Sequence, residues 1–337
     1  MSLIPILAEP LELGDVTVRN RVFVAPMSGI TDMPFRRRAH AAGAGMVVSE
    51  MVASGELTKG REGSRQRIRP AGLDVHVVQL ASREAQPMAE AARIAAGEGA
   101  DIIDINMGCP AKKVTGGYAG SALMRDIDHA TNLIEAVVGA VALPVTVKMR
   151  LGWDESVLNA PILARRAEQA GVRMVTVHGR TRCQFYEGKA DWRAIRRVKE
   201  AVSLPVVANG DIASPTDAAR VLEESGADAV MVGRAGCGAP WTAGAIAAAS
   251  GGAQLPAEPD GIADYVVGHY EEMLSFYGVE SGSRQARKHL GWYLDRHAPA
   301  TPPELRAAIL RSDEPVTVIS LIRRALDNAG LMQRSAA

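Results

Sequence analysis

The chain has 337 residues and is 47% hydrophobic, enough for the full core of a barrel with a small extra domain and too much for one small sheet. Its 38 basic and 38 acidic residues cancel, so any nucleic-acid binding has to rest on local clusters rather than net charge. The three cysteines, Cys109, Cys183 and Cys237, are odd in number and far apart, which argues against a disulfide framework or a zinc pattern and favours a reducing compartment.

Met1 to Glu12 holds no basic stretch and meets an acid at Glu9, so no secretory signal is expected. The longest uncharged run, Ala235 to Ala257, is broken by Pro240 and Pro256 and is rich in alanine rather than leucine. No membrane span is expected there. The chain reads as soluble and cytoplasmic.

Two recurring phrases organise the chain. One is a helix end, a glycine and a short apolar strand: AAGAGMVVSE (41–50), GEGADIIDIN (97–106), EQAGVRMVTVH (168–178) and EESGADAVMVG (223–233). The other is AVALPVTVKM (140–149), echoed by AVSLPVVANG (201–210). Each glycine reads as a helix C-cap and each apolar run as a buried strand. With two related runs the strands number eight: 22–25, 46–49, 75–79, 102–106, 145–149, 174–178, 206–209 and 229–232. Helical patterns fill the gaps at Ser82–Glu98, Asp128–Ala140, Ser156–Ala170, Asp191–Ala201 and Pro215–Ser225, with N-caps expected at Ser82, Asp126 and Ser214. This alternation predicts an α/β fold, a (β/α)8 TIM barrel over residues 1–250, ahead of a doubly wound open sheet.

From Gly251 the run Gly-Gly-Ala-Gln-Leu-Pro-Ala-Glu-Pro reads as a linker. Only helical patterns come after it, at Ile262–Tyr277, Ser283–His297, Pro303–Arg311 and Pro315–Ala329, so residues 251–337 are expected to form a helical domain. On its second helix Arg284, Lys288, Trp292 and Arg296 share a stripe that could track phosphates and stack on a base. Trp292 and Tyr293 read equally well as anchors to the barrel. The remaining basic groups are Arg36–Arg38, Lys59–Arg69, Lys112–Lys113, and Arg180 with Arg182. They could belong to the same footprint or be solvated helix faces.

In a barrel of this kind the site lies at the C-terminal ends of the strands. Those ends hold Pro26-Met27-Ser28, Ser49-Glu50, Gln79, Asn106, Lys148, His178-Gly179-Arg180, Asn209-Gly210-Asp211 and Gly233-Arg234. Nearly every strand delivers a polar or basic group to one mouth. The glycines of the last two loops, with Arg234, suit a phosphate. Lys148, alone on an apolar strand, could be a Schiff-base nucleophile, a phosphate ligand, a donor to a flavin ring, or an ion-pair partner of Glu50 or Asp211. His178 could be an acid–base group or a fixed donor, while Gln79 and Asn106 could read the polar edge of a heterocycle. In Asp104-Ile-Asn-Met-Gly-Cys109-Pro-Ala-Lys-Lys113, Cys109 stands between glycine and proline beside two lysines. It reads as a nucleophile or a proton donor facing a phosphate-bearing partner. Cys183 and Cys237 have no acid–base neighbour in sequence.

Nine phrases together resemble one family: APMSGITDMPFR (25–36), VSEM (48–51), DINMGCPAKKV (104–114), GSALM (120–124), VTVKMR (145–150), HGRTR (178–182), ANGDI (208–212), VGRA (232–235) and ARKHLGWYL (286–294). The chain is similar to the tRNA-dihydrouridine synthases, in particular their bacterial B-type group, from about Arg19 to its end. The resemblance implies reduction of the uracil C5–C6 double bond of specific D-loop uridines in tRNA, with FMN as cofactor and NADPH as electron donor. Pro26, Met27 and Ser28 would line the flavin ring, and Gln79 and Lys148 would bond its polar edge. Asn209, Gly210, Asp211, Gly233 and Arg234 would hold its phosphate side, with His178 beside it.

Under the same resemblance, hydride would pass from flavin N5 to C6 and a proton from Cys109 to C5. A thiol, mostly protonated near neutral pH, suits a general acid. Asn106 would read the uracil edge, and Lys112, Arg180 and Arg182 would approach the RNA backbone. Arg284, Arg287 and Lys288 would grip the rest of the tRNA. A monomer without a metal or a membrane partner is expected. Other functions fit parts of the pattern: a flavin oxidoreductase acting on a small pyrimidine such as dihydroorotate, a lysine-dependent aldolase, or a tRNA-binding module with incidental activity.

Overall fold

The computed structural model describes residues 4–251 and 259–336, with side chains through 327. The expected linker lies, apart from its two ends, outside the described residues. The eight barrel strands are β1 (Val22–Val24), β2 (Met46–Val47), β3 (Val77–Ala81), β4 (Ile102–Met107), β5 (Val145–Arg150), β6 (Met174–His178), β7 (Val206–Asn209) and β8 (Ala229–Val232). All pair in parallel in the order β2-β1-β8-β7-β6-β5-β4-β3, and a two-residue strand, Val52–Ala53, adds to β3. A parallel bridge from Val48 to Val77 joins β2 to β3 and closes the ring. Each strand leads into helix, as the (β/α)8 reading expects. The glycines of the repeated phrase, Gly43, Gly99, Gly171 and Gly226, all turn at positive φ between helix and strand.

Three local expectations need correction. The third strand begins at Val77 rather than Val75, so Gln79 sits in its middle and not at its end. The fifth runs on to Arg150. Ser82 is not a helix cap: its hydroxyl closes a turn by accepting the Glu84 N–H at 3.0 Å, and the helix starts beyond it at Ala85. Asp126 and Ser214 do cap, accepting the N–H of His129 at 3.0 Å and of Asp217 at 3.1 Å.

Strand alternation explains why the mouth is polar and the base is not. Side chains two apart share a face, so Ile102, Asp104 and Asn106 of β4 line up inside the ring, as do Met174, Thr176 and His178 of β6. At the base the inward residues are apolar: Phe23, Met46, Val77, Ile102, Met174, Val207 and Ala229 cluster with Leu11, Leu13 and Val18 of an antiparallel hairpin. Fully burying each Val, Leu, Ile, Met or Phe among them is worth roughly 1.5–3 kcal/mol. One layer up, the register sets Gln79 beside Asp104, Asp104 beside Thr146, and Asn106 beside Lys148. These polar groups are tolerated in the ring because they hydrogen-bond to one another or to a neighbouring strand.

Among the described residues, four helices come after the barrel: Ile262–Tyr277, Val279–His297, Pro303–Arg311 and Pro315–Ala336. The second starts four residues earlier than expected. Tyr270, Tyr293, Leu294, Ile322 and Leu326 form a separate core, joined by Ala239 and Trp241 from beyond β8. The Arg36–Arg38 run is not one surface patch, and its third member bonds to the helical domain. Arg36 is buried, Arg37 donates to Ala71 O, and Arg38 reaches across to Glu272 at 3.0 Å and to Tyr265 O at 3.1 Å. No helix among the described residues is long and apolar enough to cross a membrane.

Candidate active site

A cavity of about 840 Å³ opens at the C-terminal ends of the strands. Pro26, Met27, Ser28, Gln79, Lys148, His178, Asn209, Gly210, Asp211, Gly233 and Arg234 all line it, as do Asn106 and Cys109. The residues expected around a flavin thus share one cavity, whereas Ser49, Glu50 and Arg180, also expected at the mouth, lie outside its lining.

Cys109 is half-buried on the loop after β4. Its N–H, and that of Gly108, donate to Asn106 Oδ1 at 3.0 and 3.2 Å. Its carbonyl accepts from the Ser121 N–H at 3.1 Å and hydroxyl at 2.8 Å. Gly120 has φ +61, and a Cβ there would sit 2.9 Å from Cys109 O, so this close approach requires glycine. Asn106 also donates to Gln79 Oε1 at 2.8 Å, and Gln79 Nε2 donates to Asp104 at 2.7 Å. Each amide then keeps one N–H beyond these bonds. The cavity edge here offers donors, and a ligand edge facing it needs acceptors.

Lys148 is 9% exposed, and its ammonium donates to Asn209 Oδ1 at 3.0 Å. Burial, and then Arg150, push its pKa down to about 8, against the pull of Asp104. Neither Glu50 nor Asp211 pairs with it: Glu50 accepts the Gly29 N–H at 2.5 Å, and Asp211 is bound elsewhere. His178 is equally buried, and burial followed by Lys148, Arg150, Arg180 and Arg234 holds it well below the ordinary imidazole value. It is therefore a neutral hydrogen-bonding group at physiological pH. Gly210, at φ +118, packs so close that a Cβ would lie 2.8 Å from the His178 ring.

Arg180 departs from its expected role beside RNA. It is 1% exposed, grips Asp211 with two nitrogens at 2.7 and 3.0 Å, and donates to Glu187 O and Gly188 O. Its guanidinium is spent inside the protein. Burial pushes the Asp211 carboxyl up, but the bonds from Arg180 and the Ala190 N–H outweigh it and the pKa lies below the ordinary value. Arg234 stays 58% exposed above the same carboxylate, at 3.9 Å.

Sequence reasoning missed three residues. Arg150, 1% exposed, lines the cavity and ties two loops together by donating to Gly108 O, Thr181 O and Phe185 O at 2.7–2.9 Å. Alternation from Lys148 would have found it. Tyr186, 50% exposed, lies under the guanidinium groups of Arg150 and Arg234, at 5.4 and 4.7 Å from its ring centre. No pattern marks it. Asp104, one layer below the mouth, was read only as part of a strand.

The other basic residues expected on the tRNA side, Lys112, Arg182, Arg284, Arg287 and Lys288, lie outside the cavity lining. Lys112 is exposed on the short helix Lys112–Thr115 after Cys109. Arg182 is half-buried between Trp153 and Phe185, 4.7 and 4.6 Å from their ring centres. Arg284 pairs with Glu280 at 3.1 Å and Arg287 with Asp313 at 2.9 Å. Lys288 approaches the loop that carries Met27 and Ser28, where a Cβ on Gly29 would lie 3.0 Å from its Nζ. Tyr293 is buried in the core of the helical domain, bonded to His269, so it packs that domain rather than facing a partner, while Trp292 is half-buried.

Known proteins match this chain closely. A family model described as "Dihydrouridine synthase (Dus)" matches residues 23–327. A chain from Rhizobium leguminosarum bv. phaseoli named "Probable tRNA-dihydrouridine synthase" is 59% identical over 322 residues, 96% of this chain and 100% of that one. One of the same name from Rhodobacter capsulatus is 60% identical over 320 residues, 94% of this chain and 97% of that one. "tRNA-dihydrouridine synthase B" of Xanthomonas campestris pv. campestris is 45% identical, covering 94% and 96%. Among solved structures, an old yellow enzyme homologue from Zymomonas mobilis gives a TM-score of 0.52 at 17% identity, over 69% of this chain and 90% of that one. A complex of 2-naphthoyl-CoA reductase gives 0.58 at 13% identity, over 73% of this chain and 52% of that one. At such identities the likeness is one of fold.

Proposed function

Because this chain belongs to the dihydrouridine synthase family, we propose that it reduces uridines in the D-loop of tRNA to 5,6-dihydrouridine, with FMN in the barrel mouth and NADPH as the source of electrons. The observation that carries this reading is one cavity lined by a thiol on a fixed loop, a buried ammonium without a bonded carboxylate, and two amides with N–H groups to spare. A flavin fits that donor set, since its pyrimidine edge offers ring nitrogen and carbonyl acceptors. Bound FMN supplies the hydride.

The protein's own residues do the rest. Gln79 and Lys148 hold the flavin's polar edge, and the ammonium favours negative charge gathering there. Arg234 and the backbone of Gly210 and Gly233 hold the phosphate. Asp211 contributes backbone only, because Arg180 occupies its carboxylate. His178, neutral, orients without titrating. Cys109 holds a proton at Sγ and releases it to uracil C5. Asn106 is committed chiefly to the Cys109 loop and keeps one N–H for the uracil edge. Lys112 and Arg182 flank the cysteine on the RNA side, and Lys288 brings the helical domain to the rim. Residues 251–337 thereby act as a tRNA-binding domain of a cytoplasmic enzyme.

The test is Cys109→Ala. It should retain the yellow flavin spectrum and bleaching by NADPH, yet leave the uridines of a D-loop transcript unreduced. Normal turnover by this variant would remove the cysteine from the reaction. A colourless wild-type protein that gains no flavin on incubation with FMN would remove the cofactor as well.

A further inference from the structure

We propose that Asp104 is a positioning residue for the Cys109 loop, acting through Gln79 and Asn106. The idea rests on the proposed uridine reduction for the reaction, but not for its geometry. Asp104 is 4% exposed and lies below the cavity rather than in its lining. Its two oxygens accept the Thr146 hydroxyl at 2.6 Å and Gln79 Nε2 at 2.7 Å. Register alone creates both contacts, since Gln79, Asp104 and Thr146 are lateral neighbours on β3, β4 and β5.

A carboxylate only accepts hydrogen bonds. Gln79 therefore turns its NH2 toward Asp104 and its oxygen toward Asn106, whose Nδ2 meets that oxygen at 2.8 Å. Asn106 Oδ1 is then left to receive the N–H groups of Gly108 and Cys109. Every donor from Thr146 to Cys109 faces an acceptor. Flipping one amide would set two like groups against each other in a buried site. The cysteine backbone is thus held by a carboxylate three hydrogen bonds away.

A counter-charge to Lys148 is the competing role for Asp104, and two substitutions separate them. Asp104→Asn removes the charge but keeps an oxygen for Gln79 and can give its NH2 to the Thr146 oxygen. Asp104→Leu removes charge and acceptor together.

The readout is the rate at which iodoacetamide alkylates Cys109 in the full-length protein, measured by peptide mass spectrometry with the exposed Cys183 as internal reference. Asp104→Leu should speed alkylation of Cys109 about tenfold relative to Cys183, the factor that one net hydrogen bond is worth, with Asp104→Asn within about twofold of wild type. The kcat for uridine reduction should fall in the same order, with KM for tRNA unchanged. Equal acceleration in both variants would make Asp104 a counter-charge, and none in the leucine variant would free the loop from it; either result overturns the proposal. If Asp104→Leu does not fold, Gln79→Met cuts the same chain one link on with the charge in place: it should speed alkylation while Asp104→Asn does not, and acceleration in Asp104→Asn, or none in Gln79→Met, overturns the proposal. Alkylation requires neither flavin nor tRNA. A wild-type protein that makes no dihydrouridine would therefore overturn the functional reading and leave this test intact.

Discussion

The Lys148 ammonium donates to Asn209 Oδ1 at 3.0 Å, joining β5 to β7 across the barrel mouth. Asparagine is neutral, so this bond orients the lysine without compensating its charge. None of the nearby acids bonds to it: Glu50 takes the Gly29 N–H, Asp211 is bound by Arg180, and Asp104 accepts from Thr146 and Gln79 and acts on the lysine only through its charge. A buried cation kept free of carboxylates costs stability in the empty protein and is available to an electron-rich ligand.

That cost sets the first prediction. Lys148 has a folded-state pKa of about 8, below its ordinary 10.5, so the unfolded chain binds more protons between those values. Its unfavourable contribution is complete below pH 8 and is relieved as pH rises toward 10.5. Lys148→Met should stabilise the flavin-free protein by about 2 kcal/mol at pH 7 in urea unfolding, with the gain shrinking above pH 8. The same variant should retain much less FMN through gel filtration. Flavin content equal to wild type would contradict the placement of Lys148 at the flavin edge. Borohydride trapping of a carbonyl ligand on wild-type Lys148 would instead favour the aldolase reading, since a lowered amine pKa serves that chemistry too.

Arg180 supports the opposite side of the mouth. With its side chain 2% exposed and Asp211 at 31%, this pair is sheltered enough that removing one partner leaves an uncompensated charge. Arg180→Leu is expected to lower unfolding stability by about 3 kcal/mol. It should also weaken FMN binding more than riboflavin binding, because the freed Asp211 carboxylate would repel the phosphate. Equal losses for the two ligands would place Asp211 away from the phosphate.

How much of the fold and site was legible depends on how local each signal is. Glycine followed by an apolar run states strand position within the strand itself, which is why Gly99 and Ile102, or Gly226 and Ala229, could be placed without a partner. Gln79 was displaced because Val75 continues the apolar run backwards across His76. His76 is in fact occupied before the strand begins, its ring nitrogen bonded to Ile68 O at 2.8 Å and its N–H to Asp101 at 2.7 Å. Arg180 looked like a surface cation because its partner lies 31 residues away on another loop. Tyr186 sits in a loop of no period, and only the guanidinium groups of Arg150 and Arg234 around it reveal its place.

His178 supplies a negative prediction about pH. Its folded pKa lies well below 6.5, so it contributes stability above pH 6.5 that is lost as pH falls through the folded value. Turnover should therefore show no limb near pH 6.5 attributable to this ring. His178→Gln, which keeps a neutral donor and acceptor, should leave the shape of the pH–rate profile between about 6 and 8 unchanged while lowering kcat. A limb near pH 6.5 that vanishes in this variant would mean that His178 titrates during the reaction.

The helical domain reaches the site through Tyr277, whose hydroxyl donates to Asp32 Oδ2 at 3.1 Å. Asp32 caps the helix Met33–Ala41 by accepting the Phe35 N–H at 3.0 Å, and that helix directly follows the loop of Met27 and Ser28. Burial pushes the Asp32 pKa up to about 6, so the favourable part of its contribution is complete below 3.8 and is lost as pH rises through 6. Above pH 6 the ionised carboxylate depends on its donors, and Tyr277→Phe removes one of them. The substitution should cost about 1.5–3 kcal/mol at about pH 7.5, the range for a hydrogen bond to a charged group, and less at about pH 4.5 where Asp32 is protonated. Paired urea titrations at the two pH values measure the difference. A penalty independent of pH would mean that Tyr277 acts by packing alone and that the helical domain does not sense the charge beside the active-site loop.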